Sequence, residues 1–369
     1  MSHDVYCPGL KGVIAEETEI CNLDGSFLYR GYPLHEIVAD STFLGVAYLL
    51  LFEELPNEEE FADFLSIISE AQELPPLIQH VFEQLPIHVS PLEALRTGID
   101  LLSHVDPSGQ HDVTAHHHTM QLMGRVPLLI GAWQRIRKGQ PILSPQPELN
   151  FVSNLYYVIT GRVPSALYEH ALDVALMLAA EHEFNPSTYV ARIVGSVRSG
   201  TYAPITSALD TFQGSAHAGG HDSPLDVLDE VGSVDNVETW INSLPSDASI
   251  PGFGHPIYKE CDPRAAMIEV QCERLAQASG RMDLEQLAEE IERAVWERRR
   301  IPPSIDWPLS RLLSYLELDR DLFRCIFALA RIVGWSAHAC EQAVSGEVIR
   351  PRARYRGREC CPFVPLHQR

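Results

Sequence analysis

Apolar residues recur along most of this chain at the three-to-four spacing of amphipathic helices, with one exception near the start. There, residues 12 to 32 read as strand. Val13, Ile14, Ile20 and Leu23 precede Asp24-Gly25, a hairpin-turn signal, and Phe27, Leu28 and Tyr29 make the return strand. Beyond it, Ser41 or Thr42 can cap a helix from Phe43 to Phe52 that stops before Pro56. Pro164 can open a helix whose Leu167, Ala171, Val174, Ala175 and Leu178 share one face. Its last turn, Leu176 to Ala180, is apolar on nearly every side, which predicts a central helix that delivers His182 from a buried element. Asp283 with Gln286 resembles a capping box before an acidic helix over 285–297. Phe323 to Ala343 reads as another apolar helix, with Arg331 and His338 as exceptions. Proline- and glycine-rich breaks fall near 74–76, 139–147, 214–224, 251–256 and 301–308. The class these patterns predict is all-α with a small N-terminal β-hairpin.

Bulk properties narrow the function. A length of 369 residues suits two domains better than one core. No run of about 18 uninterrupted apolar residues predicts a membrane span. Met1-Ser2-His3-Asp4 lacks the basic-then-apolar order of a secretory signal. The eight cysteines have neither metal-ligand nor redox spacing, so a reduced cytoplasm is expected. A net charge of −22 argues against nucleic acid or an anionic membrane as partner. The same charge makes an anionic substrate hard to attract unless arginines are concentrated locally. They do cluster between Arg350 and Arg358, where a solvated basic tail is the alternative reading.

Several polar islands interrupt the helical pattern. His182-Glu183 begins like a zinc-protease helix, but Pro186 stands where the second histidine is needed. Taken alone, His182 reads more readily as a core histidine than as a ligand. Gly214-Ser215-Ala216-His217-Ala218-Gly219-Gly220 is not a nucleophile elbow; its glycines suit either a purely structural turn or close approach of backbone to a ligand. His116, His117 and His118 look metal-like, yet three consecutive side chains cannot share one helix face, and only Asp112 lies near them. His255 sits in a constrained turn between Gly252-Phe253-Gly254 and Pro256. Asp306, between Ile305 and Trp307, is either a helix cap or a carboxylate in an apolar setting; the latter has a raised pKa and can serve as general base toward a carbon acid. Two histidines in glycine-lined turns, one aspartate and several arginines suit acid–base chemistry on a multiply anionic small molecule.

In this order and spacing the islands resemble the citrate synthase family. The similarity runs from Pro8-Gly9-Leu10-Lys11-Gly12-Val13 through Tyr29-Arg30-Gly31-Tyr32 to Arg350-Pro351-Arg352-Ala353. The resemblance implies that Asp306 removes a proton from the acyl-CoA α-carbon and that His217 stabilises the enol. It implies that His255 polarises the ketone of oxaloacetate, and that His182, Arg264 and Arg331 bind that substrate. Arg350 would reach the site of a second subunit in a homodimer, and Lys259 would lie near coenzyme A. Acyl-CoA would be a co-substrate, with no permanently bound cofactor and no metal. Two helical domains are implied: a large one, 1–218 with 327–369, and a small one, 219–326, which closes over the substrate.

Three departures flank the first catalytic histidine: Ser215, Ala218 and His221 replace a proline, a glycine and an asparagine of the family pattern. Pro308 follows Trp307 where relatives place an aromatic and small residues. Glu183-Phe184-Asn185, Pro256 and Trp307 are similar to the 2-methylcitrate synthase branch, which uses propionyl-CoA. One methylene is worth only about 1–3 kcal/mol of discrimination. Dual activity is therefore expected in principle; acetyl-CoA is placed first only as the commoner donor, giving citrate for the tricarboxylic acid cycle, with propionyl-CoA nearly level. A non-catalytic relative that binds oxaloacetate or CoA is the alternative from a different class.

Overall fold

A computed structural model describes residues 6–10, 12–105, 114–214, 217 and 224–369. Its N-terminal strands are short: β1 (Cys21–Asn22), β2 (Leu28–Tyr29) and β3 (Tyr32–Pro33) form an antiparallel sheet in that order. Cys21 pairs with Tyr29, Asn22 with Leu28, and Tyr29 with Tyr32. The hairpin at Asp24-Gly25 forms as the sequence predicts. Residues 12–19 do not form a strand, and Ile14 is 90% exposed. Among the described residues they have no neighbouring strand to complete a hydrogen-bond ladder, which local β preference cannot replace. The third strand arises instead from a tight turn at Arg30-Gly31, both at positive φ.

Sixteen α-helices follow among the described residues. They are α1 (Leu34–Asp40), α2 (Phe43–Phe52), α3 (Glu58–Glu70), α4 (Pro76–Gln84), α5 (Pro91–Val105), α6 (Ala115–Arg137), α7 (Phe151–Thr160) and α8 (Ala166–Ala179). Then come α9 (Pro186–Ser196), α10 (Tyr202–Phe212), α11 (Pro224–Val231), α12 (Val237–Ser243), α13 (Pro263–Ser279), α14 (Met282–Arg299), α15 (Asp306–Tyr315) and α16 (Phe323–Ser345). The chain is all-α with a small N-terminal sheet. Thr42 caps α2 by accepting from the Gly45 N–H at 3.2 Å. Ser165, just after Pro164, caps α8, and every residue from Leu176 to Ala180 is buried. The expected capping box at Asp283 does not form: α14 starts one residue earlier, so Asp283 lies inside its first turn and favours the helix by charge alone.

Two apolar clusters hold these elements. The larger gathers α1 to α10, α16 and one face each of α13 and α15; the smaller joins α11, α12 and α14 with Ile250 and Trp307. Helix α16 is long and apolar enough to cross a membrane, but 83% of that stretch is buried inside the protein. At Gly334 it touches the end of α8: a Cβ there would lie 2.5 Å from the Ala180 carbonyl and within 2.2 Å of Glu181 Oε2. Only glycine permits this approach, which sets α16 against the segment that presents His182.

Candidate active site

His182 follows α8 and is buried. Asn185 and Pro186 then start α9, with Asn185 Oδ1 accepting from the Thr188 N–H at 3.1 Å. Glu181 is fully buried and accepts from His338 Nε2 at 2.9 Å, which fixes the chain immediately before His182. The ring of His182 lies 5.0 Å from that of His255, centroid to centroid, in a T-shaped contact. Its Nε2 is 3.0 Å from the hydroxyl of Tyr258. Burial, then the charges of Arg264, Arg331 and His255, push the His182 imidazole well below its ordinary value.

His255 and Asp306 arrive on two loops stitched together. Phe253 and Pro303 form an antiparallel bridge, Gly254 N–H donates to Pro302 O at 2.8 Å, and Ser304 N–H donates to Gly252 O at 2.8 Å. Gly252 has φ +82° and packs on Trp307, where a Cβ would sit 3.0 Å from the indole. That glycine lets the two loops meet. His255 Nδ1 accepts from the Ile257 N–H at 3.1 Å, so a neutral ring carries its hydrogen on Nε2. Burial and Arg264 bring its pKa down to about 4, with Lys259 adding to the shift and Asp262 opposing it. Lys259 itself is exposed, and its Nζ donates to the His255 carbonyl at 3.0 Å.

Two buried arginines face this cluster. Arg264, in the first turn of α13, forks onto Asp262 through Nε at 3.0 Å and NH2 at 2.7 Å. Asp262 also accepts from the Ile305 N–H at 3.1 Å, so one carboxylate ties the arginine to the residue before Asp306. Burial alone would raise this carboxyl, but the charge and hydrogen bonds of Arg264 outweigh that and hold it below its usual value. Arg331 donates through Nε to the Ala179 carbonyl at 2.7 Å, while its NH2 is buried with no hydrogen-bond partner among the described residues. Burial lowers this guanidinium despite the opposing charge of Glu181. A desolvated guanidinium with an unfilled donor is a strong anion site.

His217 and Asp306 both line a cavity of about 540 Å³, together with Phe212, Leu309, Leu313 and Phe327. Burial, then Arg331, bring His217 down to about 4. Its Nε2 is 3.0 Å from Ser187 Oγ, which also accepts from Trp335 Nε1–H at 3.2 Å and reaches Asn185 Oδ1 at 2.7 Å. Arg331 lies 5.0 Å from the ring centroid of Phe327, which lines the cavity, and its charge lowers both His182 and His217. Asp306 departs from expectation. It is the first residue of α15, with Ile305 at the cap position, and it is exposed rather than set in apolar surroundings. The neighbouring Ile305 and Trp307 turn into the core and leave the carboxylate at the cavity.

Arg350 is not brought into this cluster; it stands exposed on the tail after α16. The three branch-like details do not line the cavity either. Trp307 is fully buried and donates to Glu292 Oε1 at 2.6 Å, Phe184 packs on Arg192 and His338, and Pro256 is exposed. Pro308 is buried, with its carbonyl accepting from Cys272 Sγ. Ser215, Ala218, His221 and Asp112 lie outside the described residues. Among the described residues no group of three or more His, Cys, Asp or Glu could hold a metal ion, and all eight cysteines are free. Tyr258, Asp262 and Ser187 were not singled out from sequence. Asp262-Pro263 carries a helix-start signal that could have drawn attention to Asp262, whereas Ser187 and Tyr258 carry no such mark.

Comparison with known proteins fits this geometry. The family model "Citrate synthase, C-terminal domain" matches residues 9–352. The chain is 33% identical over 366 residues to "Citrate synthase 2" of Bacillus subtilis, covering 98% of each. It is 34% identical over 365 residues to "Citrate/2-methylcitrate synthase" of the same organism, covering 95% of this chain and 96% of that one. A crystal structure of citrate synthase from Pyrobaculum aerophilum superposes with a TM-score of 0.90 at 27% identity, covering 99% of this chain and 97% of that one.

Proposed function

The chain belongs to the citrate synthase family of acyl-transferring enzymes, and from that premise we propose that it condenses acetyl-CoA with oxaloacetate and water to give citrate and CoA. The observation that carries this reading is one cavity lined by Asp306 and His217, whose Phe327 wall packs under Arg331, with His182 and His255 meeting ring to ring. The oxaloacetate carboxylates would be held by Arg264 and Arg331, whose forked donors suit them. Asp306 takes the α-proton of the thioester. That proton is very weakly acidic, so a donor must meet the enolate oxygen as it forms. Neutral His217 can be this donor: Ser187 gives its single hydrogen to Asn185 Oδ1, so its Oγ accepts from His217 Nε2–H, the hydrogen that the enolate oxygen would take over. The α-carbon then attacks the ketone, while His255 Nε2–H polarises the ketone oxygen and stabilises the alkoxide. Water cleaves the resulting thioester and releases CoA. The route runs on protein groups, with acyl-CoA as co-substrate.

Propionyl-CoA is the second acyl donor in this reading, supported by the 34% identical relative named for both activities. The proposal extends to a homodimer in which Arg350, exposed away from its own chain's site, enters the partner's site. It extends also to Lys259 as a CoA contact and to closure of a small domain, 219–326, over a large one, 1–218 with 327–369. Eight free cysteines are compatible with the reduced cytoplasm.

The test is loss of thioester absorbance with oxaloacetate and either acyl-CoA, for the wild type and for Asp306→Ala. Turnover that Asp306→Ala abolishes, with oxaloacetate binding retained, supports the reading. A higher kcat/KM with propionyl-CoA would make 2-methylcitrate the main product. No turnover with either, in folded protein that still binds oxaloacetate, would leave the non-catalytic alternative.

A further inference from the structure

Tyr258 touches three of the groups placed around the keto acid. Its hydroxyl meets His182 Nε2 at 3.0 Å, its ring stacks on His255 with centroids 4.7 Å apart at 28°, and the Arg264 guanidinium lies 5.9 Å from its ring centroid. Its backbone N–H points at His255 Nδ1, at 3.4 Å, beside the shorter bond from Ile257. His255 accepts at Nδ1 and carries its hydrogen on Nε2. His182 Nε2 and the Tyr258 hydroxyl share one hydrogen bond, whose direction follows the His182 tautomer.

The two ends of this contact belong to different parts of the fold. His182 follows α8, in the larger apolar cluster. Tyr258 and His255 lie on the loop bonded to residues 302–304, next to the smaller cluster. The hydroxyl therefore ties the loop that carries His255 to the wall that carries His182. Tyr258 is not among the residues lining the cavity of His217 and Asp306.

We propose that Tyr258 is a positioning residue for the keto acid: its hydroxyl braces the His255 loop against His182, and its ring keeps the His255 donor aimed at the ketone. The inference rests on the condensation reading above. It separates two contributions that a structural tyrosine would not separate. Loss of the hydroxyl releases the brace but leaves the stack and the backbone bonds to His255. Loss of the ring removes both.

The experiment compares wild type, Tyr258→Phe and Tyr258→Leu in steady-state kinetics, with urea unfolding to confirm that each is folded. Tyr258→Phe should raise KM for oxaloacetate about tenfold, the size expected for one buried hydrogen bond, with kcat and KM for acyl-CoA within about twofold of wild type. Tyr258→Leu should add a fall in kcat of about 10²-fold, as the His255 donor loses its aim. Oxaloacetate affinity is measured in parallel by calorimetry, so that a wild type without turnover would sink the condensation reading while still testing the tyrosine. Tyr258→Phe with unchanged oxaloacetate affinity, or with equal changes in KM for both substrates, would overturn the inference. Absence of oxaloacetate binding by the wild type would overturn both.

Discussion

Replacing Asp262 with asparagine tests how the arginine and the base are held together. The Asp262 side chain is 0% exposed and accepts four hydrogen bonds. Oδ1 takes the backbone N–H and the Nε of Arg264, at 3.1 and 3.0 Å; Oδ2 takes Arg264 NH2 at 2.7 Å and the Ile305 N–H at 3.1 Å. Asparagine can keep one of these faces. Its amide then points hydrogens at the donors on the other, so two donors lose their acceptor and a buried guanidinium loses its counter-charge. Breaking a buried ion pair from one side costs about 3–5 kcal/mol. An orphaned buried N–H costs about 1–3 kcal/mol by itself. These terms share partners and do not add, so the expected loss is about 3–5 kcal/mol in urea unfolding, seen as a lower midpoint at unchanged slope. Acid dependence supplies an independent check. Asp262 is held below its ordinary 3.8 when folded. Its contribution is thus present above that value and is lost as pH falls through the lower folded value. The Asp262→Asn protein should lack this component of acid unfolding. A loss under about 1 kcal/mol with the acid limb unchanged would refute the argument that this carboxylate holds Arg264 and the start of α15.

His217 and His255, each brought down to about 4, should stay neutral across the neutral range. Stability should therefore decline as pH falls from about 6.5, where the unfolded imidazoles begin to take up protons, to about 4; kcat/KM should be insensitive to these two groups until pH approaches 4, and an imidazole titration near 6.5 by NMR at either residue would contradict the burial argument. Ser187→Ala should cost about 1–3 kcal/mol by orphaning the Trp335 indole N–H, and should lower kcat more than either KM because His217 loses the partner that sets its tautomer; unchanged kcat would remove Ser187 from the mechanism. Gly252→Ala forces a side chain into φ +82° against Trp307 and should destabilise by about 1–3 kcal/mol, with a fall in kcat as the His255 and Asp306 loops separate; full activity would show that the loops tolerate displacement. Mixing inactive Arg350→Ala and Asp306→Ala subunits after co-refolding should recover about one quarter of wild-type activity, since half the random dimers carry one intact site; no recovery would refute the shared site.

What the sequence determined by itself is local or periodic. The Thr42 cap, the buried last turn of α8, the apolar run of α16 and the proline–glycine breaks were legible because helix period, caps and turn chemistry act within a few residues. The resemblance picked out His182, His217, His255, Lys259, Arg264, Asp306, Arg331 and Arg350: His217 and Asp306 line one cavity, His182 and His255 meet ring to ring, Arg264 and Arg331 are buried, and Lys259 and Arg350 are exposed. Tertiary structure decided the rest. Residues 12–19 have strand-like composition but no partner to pair with, and Asp283 met a helix that had already begun. Asp306 has apolar neighbours in sequence, yet a helix turns them inward and leaves its carboxylate at the cavity. The bonds that organise the site, Asp262 to Ile305, Ser187 to Trp335 and Tyr258 to His182, join residues 43, 148 and 76 positions apart. No local pattern encodes such pairs, because they exist only once the packing of α8, α9, α13 and α16 has brought the donors within reach of their acceptors.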